Sequence, residues 1–191
     1  MTRSKIDSYM RILRNNRAMR IIISSRLMLR PWETADADFL FDLDSRIETV
    51  QYLGPLAKPM IEKSEAVESI QRRRAIDDPI HGIWVITSRN TGGLLGNLLL
   101  KPAPLSDGIP GAAPTEIGWH LHPEAQGAGY ATEAADAAMR DASLNGLNVV
   151  IAVTDPRNAA SQRVCARLEM ESHGVTCDFY NETNLLFTKS L

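Results

Sequence analysis

The chain has 191 residues, 44% of them hydrophobic, enough to bury one substantial core, so a single domain is expected. A formal net charge of -2 excludes the overall basic footprint of sequence-independent nucleic-acid binding. Two cysteines without C-x-x-C spacing, Cys165 and Cys177, give no disulfide framework, and no apolar run reaches the roughly 18 residues of a membrane span, so a reducing cytoplasm is expected.

Residues 1–24 set Arg3, Lys5, Arg11, Arg14, Arg17 and Arg20 against one acidic residue, Asp7. Such runs usually face solvent, so a solvated extension is expected; an RNA-binding arm and an Arg-rich transit peptide are the other readings, with Met19 an alternative start. The order of charge, apolar block and small-residue cleavage site is not found here, and secretion is not expected. One folded domain is expected over residues 25–191.

Residues 26–32 alternate polar and apolar up to Pro31, the pattern of a strand. Thr34 is placed to cap a helix running to about Arg46, with Phe39, Leu40 and Leu43 on one face and Asp36, Asp38 and Asp42 toward its positive end. Gly54-Pro55 stops the segment. A second helix is expected over 61–76, with Ala66, Ile70 and Ile76 in phase and Arg72 to Arg74 toward solvent. Residues 82–87 and 94–100, separated by Arg89-Asn-Thr-Gly-Gly93, read as a hairpin. Residues 102–114, with four prolines and two glycines, read as a loop.

Residues 116–122 alternate again, with Ile117, Trp119 and Leu121 on one face and Glu116, Gly118, His120 and His122 on the other. A helix from about 128 to 143 carries Ala131, Ala134, Ala135, Ala138 and Ala142 at helical spacing, which suits close packing on a sheet. A strand at 148–154, a helix at 158–168 and a closing pair of strands at 175–179 and 185–189 follow. Early antiparallel strands and a later strand-helix-strand-helix unit make the class mixed α and β.

Between strand and helix lies Gln126-Gly-Ala-Gly-Tyr-Ala131. At that junction unpaired N–H groups and the helix dipole can hold a phosphate. The segment meets neither the P-loop nor the G-x-G-x-x-G spacing, so spacing alone leaves a phosphate cradle and a tight structural turn both open.

The run from Glu116 to Ala134 resembles the acetyl-CoA-binding segment of the GNAT N-acetyltransferase superfamily, whose pattern is met by Gln126, Gly129 and Ala131. Residues 26–32 resemble the opening strand of its RimJ/RimL-like branch, Thr91-Gly-Gly-Leu-Leu-Gly96 its central hairpin, and Asn158-Ala-Ala-Ser161 its second cofactor block. The resemblance spans about residues 25–190. It implies an α+β fold: a central, mostly antiparallel twisted sheet with a V-shaped splay, flanked by about four helices. It also implies that the strand at 116–122 carries a bulge and parts from its neighbour. Pantetheine would then pair with backbone groups of Trp119, His120 and Leu121, and the pyrophosphate would meet Gln126, Gly127, Ala128, Gly129, Tyr130, Ala131 and Thr132. Asn158 and Ser161 would lie near the cofactor, although Asn158 is equally suited to capping the helix that begins there.

The activity so implied is direct transfer of acetyl from acetyl-CoA to a primary amine, either a peptide N-terminus or a small amine. Glu116 is the first candidate base, with a solvent or salt-bridge carboxylate as the bland reading. His120 is the second, because imidazole is the side chain whose ordinary titration spans neutrality. Backbone N–H groups near Trp119 or His120 would stabilise the oxyanion. His120-x-His122 lacks a third ligand in the sequence, and no metal is expected. Where the family often places a general-acid Tyr, this chain has Cys165, read as a buried structural thiol; Tyr180 is the substitute. Glu169 stands where the family usually has Gly and is expected to alter that turn. A homodimer stays open as an assembly, and no nucleic acid or membrane partner is expected. The competing reading, motivated by Cys165, is a non-catalytic acyl-CoA-binding regulatory module.

Overall fold

Alternating side chains sort the molecule into layers. The computed structural model describes residues 20–54 and 57–191; the basic run from Arg3 to Arg17, Met19, and Pro55 of the expected stop lie outside them. In β3 (Gly82–Ser88), Trp84 and Ile86 belong to one buried cluster, while Val85, with Ile83 beside it, belongs to another. Neighbouring residues of a strand point to opposite faces, so the sheet carries a core on each side.

The other strands are β1 (Ile22–Ile23), β2 (Leu27–Pro31), β4 (Leu94–Pro102), β5 (Thr115–Leu121), β6 (Val149–Thr154), β7 (Glu171–Thr176) and β8 (Asn184–Ser190). They form one sheet in the order β1-β2-β3-β4-β5-β6-β8-β7, antiparallel throughout except between β5 and β6. A parallel pair needs a crossover, and α4 (Tyr130–Leu144) supplies it. Its alanine stripe joins Leu98, Leu100 and Ile117 in the larger core, to which α5 (Ala159–Arg167) adds Val164 and Cys165. On the opposite face α1 (Ala37–Asp44) and α3 (Lys63–Arg74) close Ala37, Leu40, Ala66 and Ile70 around Trp32. The Trp32 indole N–H is satisfied there by Asn97 Oδ1 at 3.1 Å. A satellite cluster of Ala103, Ile151 and Phe179 lies beside the β7–β8 turn.

The expected mixed fold is thus found, with five α-helices among the described residues; the additional one is the single turn α2 (Ile47–Val50). Thr34 is not the cap: Glu33 and Asp36 form a reciprocal capping box around a 3-10 turn at Thr34–Asp36. Arg73 does not face solvent. It lies three residues after Ile70 and seven after Ala66, hence on the apolar stripe of α3, and its side chain is 12% exposed. The first closing strand is β7 at Glu171–Thr176 rather than 175–179, and Phe179 is buried in the satellite cluster instead. Residues 20–24, expected outside the domain, are packed on it. Ile22 and Ile23 pair with β2, while Arg20 lies 5.5 Å from the Trp84 ring centroid and 2.8 Å from Asp141 Oδ2.

The bulge expected in β5 is absent. Its pairing with β4 runs unbroken from Gly96↔Leu121 to Pro102↔Thr115, and the irregularity lies on the β3–β4 side, between Ile86 and Thr87. Gly96 permits that close pairing: a Cβ there would sit 2.5 Å from the His120 carbonyl oxygen.

Candidate active site

β5 and β6 pair at one position, Glu116↔Ile151, and diverge beyond it. The His122 N–H donates to the Leu95 carbonyl at 2.9 Å, so by strand alternation His120 also addresses β4. Trp119 and Leu121 therefore turn their backbone groups toward the gap. Of the three residues expected to pair with pantetheine, two have backbone groups so oriented, whereas His120 reaches the site with its side chain. Of the two N–H groups expected to serve the oxyanion, that of Trp119 faces the gap and that of His120 faces β4.

A cleft of about 580 Å³ opens where the strands part. Glu116 and His120 line it from the α1–α3 face, and Ala152 and Cys165 of the opposite core line it too, so it passes through the sheet. Trp119, Asn158, Ser161 and Tyr180 share the lining. The loop from Gln126 to Thr132 stands outside it, at the start of α4.

Tyr180 donates its hydroxyl hydrogen to Glu116 Oε2. Burial pushes the Glu116 carboxyl up, and the opposing effects of Tyr180, Lys101 and the Val153 N–H do not cancel it. Burial and the neighbouring Glu116 also push the Tyr180 phenol upward. Both groups are therefore held toward their protonated forms. Tyr180 has a φ of 64° and Asn181 a φ of 56°, a left-handed pair that non-glycine residues rarely adopt. Loop 102–114 fixes it: Tyr180 N–H donates to Pro104 O at 3.2 Å, and Asn181 N–H to Ser106 Oγ at 2.9 Å.

At the other end of the cleft, His120 Nε2 lies 3.0 Å from Asp44 Oδ1, and Asp44 Oδ2 accepts from Arg73 Nη2 at 3.2 Å. Arg73 in turn lies 5.0 Å over the Trp32 ring. Burial alone would push Asp44 up, but His120 and Arg73 outweigh it and hold the carboxyl below the usual range. His122 spends both ring nitrogens: Nε2 lies 2.9 Å from Asp42 Oδ2, and Nδ1 accepts from the Glu124 N–H at 3.3 Å. The His-x-His pair is thus divided between two carboxylates.

The glycine loop suits an anion. Gly127 and Gly129 have φ of 78° and 80°, and a Cβ on Gly127 would meet nothing within 4 Å, so backbone conformation rather than crowding requires glycine there. Thr132 Oγ1, in the first turn of α4, is buried without a hydrogen-bond partner among the described residues. A helix N-terminus, open space over Gly127 and an orphaned hydroxyl fit a phosphate-bearing donor.

An acetyltransferase (GNAT) domain model matches residues 26–171. The chain belongs to the GNAT acetyltransferases. The uncharacterized N-acetyltransferase YoaA of Bacillus subtilis (strain 168) is 29% identical over 157 residues, covering 81% of this chain and 85% of that protein. Solved folds agree. A GNAT-family acetyltransferase from Bacillus anthracis superposes with a TM-score of 0.71 at 20% identity, over 90% of this chain and 98% of that one. RimL, a ribosomal L7/L12 alpha-N-protein acetyltransferase solved with coenzyme A, gives 0.72 at 17% identity over 90% and 98%.

In this GNAT acetyltransferase Asn158 caps α5, its Oδ1 accepting from the Ser161 N–H at 3.0 Å, while both residues also line the cleft. Cys165 is fully buried and its thiol is pushed up to about 12. It is a core residue, and the phenol that reaches Glu116 in the cleft is that of Tyr180. Sequence reasoning missed Asp44 and Arg73. The signal for Arg73 was its phase with Ala66 and Ile70; nothing local marks Asp44, whose partners lie 29 and 76 residues away.

Proposed function

We propose that the enzyme transfers acetyl directly from acetyl-CoA to a primary amine, with Glu116 and Tyr180 as the proton relay to the leaving thiolate. The observation that carries this reading is the Tyr180–Glu116 hydrogen bond in the cleft where β5 and β6 part. When bound, acetyl-CoA supplies an activated thioester; the residues expected to hold it are Trp119, Leu121, Gln126 to Thr132, Asn158 and Ser161. The Trp119 N–H is placed to stabilise developing negative charge on the acetyl oxygen.

Two protons leave the amine nitrogen in the whole reaction. One must go before attack, because an ammonium has no lone pair. The second balances the thiolate: Tyr180 gives its hydroxyl proton to sulfur as the C–S bond breaks, Glu116, favoured in its protonated form by burial, restores the phenol, and the second proton released by the acetylated nitrogen returns Glu116 to its acid form. The α-amine of a peptide is the favoured acceptor, ahead of small amines. With reference pKa values of about 7.7 and 10.4, a lysine-type ammonium costs roughly 3.5 kcal/mol more to deprotonate. The sequence likeness to the RimJ/RimL branch supports the same choice.

The test is free-thiol release from acetyl-CoA over a panel of peptide N-termini, polyamines and aminoglycosides, with Gly129→Glu as a control that blocks the loop. Release with one amine class, lost in the control, is expected. No release with any amine despite acetyl-CoA binding would overturn the reading.

A further inference from the structure

Three side chains from three elements meet at the cleft end away from Tyr180: His120 of β5, Asp44 at the end of α1, and Arg73 of α3. The His120 and Asp44 side chains are each 9% exposed. An ionised carboxylate accepts hydrogen bonds only, so the contact of 3.0 Å to Oδ1 requires His120 to carry its hydrogen on Nε2. In the neutral ring Nδ1 then holds a lone pair. That atom is buried and has no hydrogen-bond partner among the described residues. An unmet buried acceptor is costly, and in a cleft it marks where a ligand's N–H fits. Arg73 holds the other carboxylate oxygen, its Nη2 lying 3.2 Å from Asp44 Oδ2, so the carboxylate is anchored from both sides.

We infer that Asp44 is a positioning residue that fixes the His120 tautomer, and that His120 Nδ1 takes the first proton from the acceptor ammonium. This rests on the acetyl-transfer reading and supplies the step that the Glu116–Tyr180 relay leaves open. The N–H bond of the ammonium breaks, its electron pair stays on nitrogen for attack on the thioester carbon, and the proton passes to Nδ1 and then to solvent. The remaining charges of the cleft are Glu116 on the same strand, Lys101 on β4, Asp155 and Arg157 after β6, and Glu182 in the β7–β8 turn. Glu116 is engaged by Tyr180 and Asp155 by Arg157, while Asp44 Oδ1 lies 3.0 Å from His120 Nε2 and is the carboxylate that orients it.

The experiment uses the full chain loaded with acetyl-CoA, in two measurements. Long-range 15N–1H spectra of histidine-labelled protein should show neutral His120 with hydrogen on Nε2, and this signature should be lost in Asp44→Asn. Hydrogen on Nδ1 in the wild type overturns the inference. Thiol release is then followed with a peptide α-amine and with hydroxylamine, a weak base already neutral at pH 7. His120→Gln and Asp44→Asn should each lower kcat/KM for the peptide about 10²-fold, and remove the limb of its pH profile that reports the base, with little loss for hydroxylamine. Equal losses for both amines would mean a merely structural role, and unchanged kcat/KM in both variants would overturn the inference while leaving acetyl transfer intact. Silence of the wild type with every amine would instead sink acetyl transfer and the inference with it. Should Asp44→Asn fail to fold, His120→Gln decides.

Discussion

Tyr180 and Asn181 hold consecutive left-handed backbone conformations without being glycine. Each such residue costs of order 1 kcal/mol and persists only where its surroundings over-determine it. Here they do: Ser106 Oγ donates to Cys177 O at 2.7 Å while accepting from the Asn181 N–H, and the Asp107 N–H donates to Asn181 Oδ1 at 2.8 Å. The result is a phenol delivered to a buried carboxyl. Removing the hydroxyl in Tyr180→Phe should lower kcat about 10²-fold, with little change in the KM for acetyl-CoA. It should also move the Glu116 titration upward, because the hydrogen bond that opposes burial is gone. Steady-state kinetics against pH check both; an unchanged kcat would exclude Tyr180 from the relay.

Among the elements, the ends of two helices matter most. Glu133 ties the first turn of α4 to the edge of β2: its Oε1 accepts from Ser24 Oγ and the Arg26 N–H, each at 2.7 Å, and its Oε2 from Arg26 Nε at 2.6 Å. Arg26 Nη1 continues to the Ala128 carbonyl at 3.1 Å, so the clamp also fixes a peptide of the glycine loop. Glu133→Gln should raise the KM for acetyl-CoA several-fold and leave kcat nearly unchanged; an altered kcat at constant KM would contradict the clamp's assignment to donor binding. At the far end of α5, Glu169 occupies the left-handed position of a Schellman turn with φ of 55°. Its N–H donates to Ala166 O at 3.0 Å, and that of Met170 to Cys165 O at 3.1 Å. The turn has ordinary Schellman geometry, with a side chain where glycine would sit unstrained. Glu169→Gly should stabilise the protein by roughly 1 kcal/mol without altering turnover, which denaturant melts and thiol release can check.

For the whole molecule, the cleft through the sheet sets two buried carboxylates against each other in their pH dependence. Asp44 is held below its unfolded value, so its contribution to stability is present above about pH 3.9 and is lost as pH falls through the folded value. Glu116 is held above its unfolded value, so its contribution is full below about pH 4.3 and is lost as pH rises through the folded value. Thermal melts across pH should accordingly find Asp44→Asn less stable than wild type near neutrality and Glu116→Gln more stable, both differences shrinking toward acid. Curves that stay parallel to wild type would show that neither carboxyl is coupled to folding in this way.

Alternation in residues 116–122, the alanine stripe of α4 and the glycines before it were legible in the sequence because each is a local pattern with a fixed period or a backbone requirement. They determined the mixed fold, the family and the position of the glycine loop. The bulge, the strand before β8 and the solvent-facing Arg73 were misread because pairing register and burial depend on partners far along the chain. Glu116, His120 and Tyr180 could be named from sequence, but not joined. The tertiary structure alone decided that Tyr180 reaches Glu116 across 64 residues and that Asp44 reaches His120 across 76. The physical reason is that strand spacing orders only neighbours, whereas a proton relay is made by whichever side chains the packed helices and the parted strands bring to the same buried gap.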